Sequence, residues 1–105
     1  MRIHELKSWP EFYEAVANDE KKFEYRKNDR LFNKGDILHL REFNPVDNTY
    51  TGRELFVKID YIWPSTDKEK VDAHYWGIQI SPPNNYVLMS ISKVEINISA
   101  AKRFV

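Results

Sequence analysis

Apolar and polar positions change period along these 105 residues, and each change marks an element. Residues 2–7 (RIHELK) alternate: Ile3 and His4 fall on opposite faces and Leu6 shares the His4 side, as in a short strand. Over residues 8–18 the spacing becomes helical. Trp9, Phe12, Tyr13 and Val16 form one apolar stripe, and Ser8 and Glu11 have the spacing of a capping box. Pro10 falls in the first turn, where its missing N–H forfeits no intrahelical bond. The predicted helix ends near Asn18.

From residue 22 the period is two. KFEYRK alternates Phe23 and Tyr25 with Lys22, Glu24 and Arg26, which predicts a strand with its aromatics toward the core and its charges away from it. A turn at Asn33–Gly35 precedes a second strand, DILHLREF. The turn-forming segment NPVDNTYTG then joins it as a hairpin to RELFVKIDYIW, where Leu55, Val57, Ile59, Tyr61 and Trp63 share a face. Residues 64–76 (PSTDKEKVDAHYW) read as a loop or short helical insertion over one end of the sheet. After GIQI and the PPNN turn, Val87, Met89 and Ile91 run in phase and Val94, Ile96 and Ile98 in the opposite phase, which predicts a bulge or a change of side at Ser92–Lys93. One N-terminal helix and five or six strands with short connections hide their edges most simply in a small closed or half-closed barrel. The expected fold is α+β, mainly β, and one domain covers residues 1–105.

Composition narrows the chemistry. Lys and Arg total 16 and so do Asp and Glu, so the whole chain lacks the basic character of a non-specific nucleic-acid coater. Charge is instead segregated. Residues 8–20 carry Glu11, Glu14, Asp19 and Glu20 and no Lys or Arg, whereas residues 21–34 carry six bases against two acids. Any anion-binding role is therefore local to the strand after the helix. Cysteine is absent, which excludes a disulfide scaffold, a cysteine zinc site and a thiol nucleophile. His4, His39 and His74 are too far apart in sequence to suggest a metal site. No stretch of about 18 apolar residues exists to span a bilayer, and no secretory leader is evident. The expectation is a cytoplasmic protein without cofactor or metal.

At the charge switch, DEKKFEYR (19–26) resembles the G-x-K-x-x-E-x-R signature of the ASCH families in the PUA-like superfamily. Lys21, Glu24 and Arg26 match, and Asp19 stands where the family usually has Gly. The resemblance extends over about residues 3–91 through three further blocks: His4, Leu6 and Lys7 before the helix, then ExRxNDRxFxxGDxLxLRE from Glu24 to Glu42 with YTGRE after it, and YVLMSI at 86–91. Together they are similar to a small, poorly characterised bacterial and phage branch of that group. The resemblance implies a PUA-like, ASCH-type β-barrel whose cleft beside the N-terminal helix binds RNA or modified nucleosides. Some relatives remove an acyl group from the exocyclic nitrogen of cytidine. They carry a threonine at the position of Glu24, so a hydroxyl-based mechanism does not transfer directly.

The residues themselves admit more than one chemistry. Arg26 can hold a phosphate or base edge through its planar fork, Glu24 can accept from an exocyclic amine, and Lys21 can neutralise the pair. On a regular strand Lys21 would point away from Glu24 and Arg26, so convergence requires Lys21 to sit before the strand, in the turn out of the helix. Arg30 is expected to bracket the same anion with Arg26, with Asn28 nearby; His4 and Lys7 flank the start of the helix in the family frame and are expected to border the site, with a partly buried structural His4 as the alternative. Asp29 fits either a turn-fixing or a functional role. Trp63, Tyr75 and Trp76 are read as capping a barrel end, with base stacking as the alternative. Three functions follow: binding of RNA, a nucleotide or a modified nucleoside; hydrolysis of N4-acylated cytidine with Lys21 and Glu24 catalytic; or docking of an acidic protein partner on the basic strand.

Overall fold

The computed structural model describes residues 1–64 and 86–96. The elements run β1 (Ile3–Ser8), α1 (Pro10–Ala17), β2 (Phe23–Lys27), β3 (Ile37–Asn44), β4 (Thr49–Trp63) and β5 (Tyr86–Val94). The expected GIQI strand, the PPNN turn, His74, Tyr75, Trp76, Ile98 and all but the first residue of the 64–76 insertion lie outside the described residues.

All five strands form one sheet in the order β1-β3-β4-β5-β2, so β1 and β2 are its two edges. β1 runs parallel to β3 with Leu6 opposite Leu40, and the remaining neighbours are antiparallel. The sheet curls into a half-barrel around one core in which Leu38, Leu40, Val57, Ile59 and Met89 are fully buried. Alternation along β5 buries Val87, Met89 and Ile91, as the pattern predicts. The described residues are mainly β with one short helix.

Two features of the strands differ from the sequence reading. The β4–β5 bulge lies in β4: Ile59 pairs with Ile91 but Tyr61 with Ser90, leaving Asp60 as the extra residue, whereas at Ser92–Lys93 the burial phase changes as expected, both residues being exposed, with regular pairing and no bulge. A bulge inverts the alternation beyond it, so Ile62 packs against the core while Tyr61 turns outward. Helix α1 also starts one step later than its capping-box spacing suggests. Ser8 is the last residue of β1, Trp9 is the N-cap without a side-chain bond, and Pro10 opens the helix. Proline supplies the start here, because its fixed φ suits the first helical position. Tyr13 and Val16 are the buried positions of α1, while Trp9 and Phe12, expected on the same apolar face, are half-exposed.

Candidate functional site

The chain leaves α1 through a left-handed turn. Asn18 is the C-cap, Asp19 follows at φ 65°, and the N–H groups of Asp19 and Glu20 return to the carbonyls of Val16 and Ala15. This is the pairing of a Schellman motif, which normally favours glycine at the residue with positive φ. The N–H of Lys21 also donates to the Ala15 carbonyl, and β2 begins only at Phe23. Lys21 thus stands before the strand, in the position its convergence with Glu24 and Arg26 requires.

Those three side chains do meet. Lys21 Nζ donates to Glu24 Oε1 at 2.9 Å, and Arg26 Nε donates to Glu24 Oε2 at 2.9 Å. Glu24 is 2% exposed and lies opposite the core residue Met89 in the β2–β5 ladder. A carboxylate removed from water is costly unless its charge is paired and its lone pairs are engaged. Here each oxygen has its own cation.

Burial along β2 is the reverse of the sequence expectation. Glu24 faces inward, while Phe23 and Tyr25, expected in the core, are 46% and 45% exposed. The physical reason is the flanking pair of cations: with Lys21 and Arg26 neutralising it, the acid occupies the inner position. The aromatics are released to line a cleft.

That cleft, of about 590 Å3, lies between the start of α1 and the β2 edge. Its walls are Trp9 and Phe12 from the helix and Phe23 and Tyr25 from the strand, and Lys21, Glu24 and Arg26 reach it from β2 and the preceding turn. Lys7 and Ser8 complete it from β1. Lys21 Nζ is 5.1 Å from the Phe23 ring centroid and 5.7 Å from that of Phe12, within cation–π range. Ser8 is 1% exposed, and its Oγ has no hydrogen-bond partner among the described residues.

Sequence reasoning treated Ser8 only as a cap and Trp9 and Phe12 only as core. The clue available in the sequence was an acid flanked by bases three residues before and two after it, an arrangement suited to a buried, neutralised carboxylate.

Of the other expected site residues, Lys7 lines the cleft and the rest disperse. The Lys7 Nζ lies 4.3 Å from the Phe43 ring centroid. Arg26 and Arg30, expected to bracket one anion, instead reach the opposite edge of the sheet: Arg26 Nη2 donates to the Lys7 carbonyl and Arg30 Nη1 to the Glu5 carbonyl, each at 2.9 Å. Asp29 is exposed: its carboxylate accepts from Arg30 Nε at 3.4 Å, and its N–H donates to the Lys27 carbonyl at 2.9 Å. Asn28 borders a different recess, of about 310 Å3, together with Phe32 and Tyr61.

His4 is buried in a structural cluster rather than at the cleft. Its Nε2 is 2.8 Å from Asp36 Oδ2, and the Asp36 carboxylate also accepts the N–H groups of Arg2 and Asn33. Burial alone would raise the Asp36 pKa. The bonds from His4, Arg2 and Asn33 outweigh that and hold it below the ordinary aspartate range. Among the described residues there is no cluster of three or more potential metal ligands, and no helix is long and apolar enough to cross a membrane.

Comparison with known proteins places the chain. Residues 3–80 match the family described as "Domain of unknown function (DUF3850)". An uncharacterized 12.9 kDa protein in the GpA 3′ region of Escherichia phage P2 is 33% identical over 66 residues, a match that spans 63% of this chain and 59% of the phage protein. Among solved structures, the crystal structure of hypothetical protein PH0355 superposes with a TM-score of 0.52 at 18% identity, over 90% of this chain and 100% of that one. This likeness concerns the fold alone.

Proposed function

We propose that this chain, which belongs to the DUF3850 family, binds an unpaired nucleobase, carried by RNA, a nucleotide or a modified nucleoside, in the cleft between α1 and β2. We infer with it that the half-barrel is of the ASCH, PUA-like type. Support for that type comes from Lys21, Glu24 and Arg26 converging after a left-handed residue at the position where those families usually have glycine.

One observation carries the binding reading. Four half-exposed aromatic residues, Trp9, Phe12, Phe23 and Tyr25, line the same cleft as a buried carboxylate held by two cations. Aromatic faces stack on any base, and a carboxylate accepts from a base N–H. Binding is favoured over hydrolysis of an acylated base because Lys21 and Glu24 already engage each other at 2.9 Å. A lysine whose ammonium is bonded to the neighbouring carboxylate is a poor base until that pair breaks.

The test is a titration of nucleosides and a short single-stranded oligoribonucleotide, followed by intrinsic tryptophan fluorescence or calorimetry. Trp9→Ala is expected to weaken binding by about tenfold or more, the scale of one lost base–aromatic stack. Absence of binding by the wild-type protein at low salt would overturn the reading. Conversion of N4-acetylcytidine to cytidine in the same samples would replace it with the hydrolytic one.

A further inference from the structure

The cleft contains a polar group that the fold itself does not use. Ser8 ends β1 opposite Glu42 in the β1–β3 ladder, and its hydroxyl, which lines the cleft, is buried without a partner among the described residues. A hydroxyl withdrawn from water and left unbonded destabilises the protein that carries it, and alanine would fill nearly the same space without that penalty. On grounds of folding alone, serine is the poorer choice at this position.

Glu24 supplies the complementary half. A carboxylate offers about four lone-pair sites, and Lys21 and Arg26 occupy one on each oxygen. Acceptor capacity therefore remains in the same cleft as a hydroxyl that can both donate and accept.

We propose that Ser8 is a ligand-reading residue of the cleft, and that the ligand enters edge first. This inference rests on the nucleobase reading above and deepens it. A planar heterocycle inserted between the aromatic walls gives an N–H to Glu24 and presents an adjacent acceptor to the Ser8 hydroxyl. The edge so used is the one that pairs bases in a duplex, so the site takes free nucleosides or unpaired bases and excludes paired ones. Unbonded in the free protein, the hydroxyl gains its bond only in the complex, so the ligand alone relieves its burial.

Three measurements on the full chain test this. The first is the thermal stability of Ser8→Ala without ligand, expected to equal or exceed that of the wild type. A clear fall in melting temperature would show that the hydroxyl serves the fold and would overturn the inference.

The second is the affinity of Ser8→Ala for whichever nucleosides the wild type binds, expected to drop by about tenfold, the usual scale for a lost hydrogen bond in a dry site. Wild-type affinity in Ser8→Ala would overturn the inference while leaving the cleft reading intact. The third compares adenosine with purine riboside, and uridine with 3-methyluridine. Within each pair that binds, the analogue lacking the N–H should bind at least about tenfold more weakly. Equal binding within such a pair, or equal binding of a single strand and its duplex, would also overturn edge-first entry. If no nucleoside or oligonucleotide binds the wild type at all, both readings fall together.

Discussion

Arg26 on one edge of the half-barrel donates to the backbone carbonyl of Lys7 on the other, at 2.9 Å, and Arg30 makes the same kind of bond to Glu5. Glu5 and Lys7 are alternate residues of an edge strand, so both carbonyls project away from β3. Two guanidinium groups thus close the gap between β1 and β2 in place of a ladder. They also blunt two strand edges that could otherwise pair with another chain.

The two arginines should differ sharply when removed. Arg30 is exposed and its other partner, Asp29, is exposed too, so Arg30→Ala should lower unfolding free energy by about 1 kcal/mol or less. Arg26→Ala also strips a buried carboxylate of one cation and should lower it by about 3 kcal/mol. Urea denaturation of the two variants measures both, and equal losses would contradict the assigned roles.

Glu24 and its partners should show a second asymmetry. The Lys21 and Arg26 side chains are 17% and 27% exposed and can turn to water when the acid is lost, whereas the buried Glu24 side chain cannot turn when a cation is lost. Glu24→Leu is therefore expected to destabilise less than Arg26→Ala, by at least about 1 kcal/mol. The reverse ordering in denaturant titrations would mean that Glu24 reaches solvent.

The core of the fold was legible in the sequence because it depends on period alone: the phases of β1, β3 and β5 match the alternation of His4 and Leu6, of Leu38 and Leu40, and of Val87, Met89 and Ile91. Convergence of Lys21, Glu24 and Arg26 was legible as well, through the charge switch and the signature spacing. The orientation of β2 was not, because alternation of aromatics and charges is the same pattern whichever face turns inward. What decides the face is a three-body neutralisation of Glu24, which period does not encode. The Asp60 bulge was hidden for a related reason: an extra residue in one strand is defined only by its partner strand.

Asp19 occupies a backbone conformation that suits glycine better. At φ 65° it carries a Cβ in the left-handed region, and among the described residues its side chain offsets this through an exposed pair with Lys93 at 3.2 Å. Such surface pairs contribute little, while relieving the backbone is expected to gain up to about 1 kcal/mol. Asp19→Gly should therefore raise the melting temperature by a few degrees. A fall would assign Asp19 a role in holding Lys93, which also donates to the Ala17 carbonyl at 2.8 Å.

Acid sensitivity should concentrate at Asp36. Its carboxyl is held below the ordinary aspartate range, near 3.9, despite burial, by the His4 ring and the N–H groups of Arg2 and Asn33. A group whose folded pKa is depressed binds protons more readily in the unfolded chain. Its stabilisation is therefore complete above the unfolded value and disappears as pH falls through the folded one. Asp36→Asn keeps the shape but abolishes the titration. The wild type should be more stable than this variant by about 1–3 kcal/mol near neutrality. The difference should narrow below pH of about 4 and approach its minimum once Asp36 is protonated in the folded state as well. Denaturant midpoints of both proteins across that range measure the effect, and a difference that stayed constant or widened toward acid would refute the assignment.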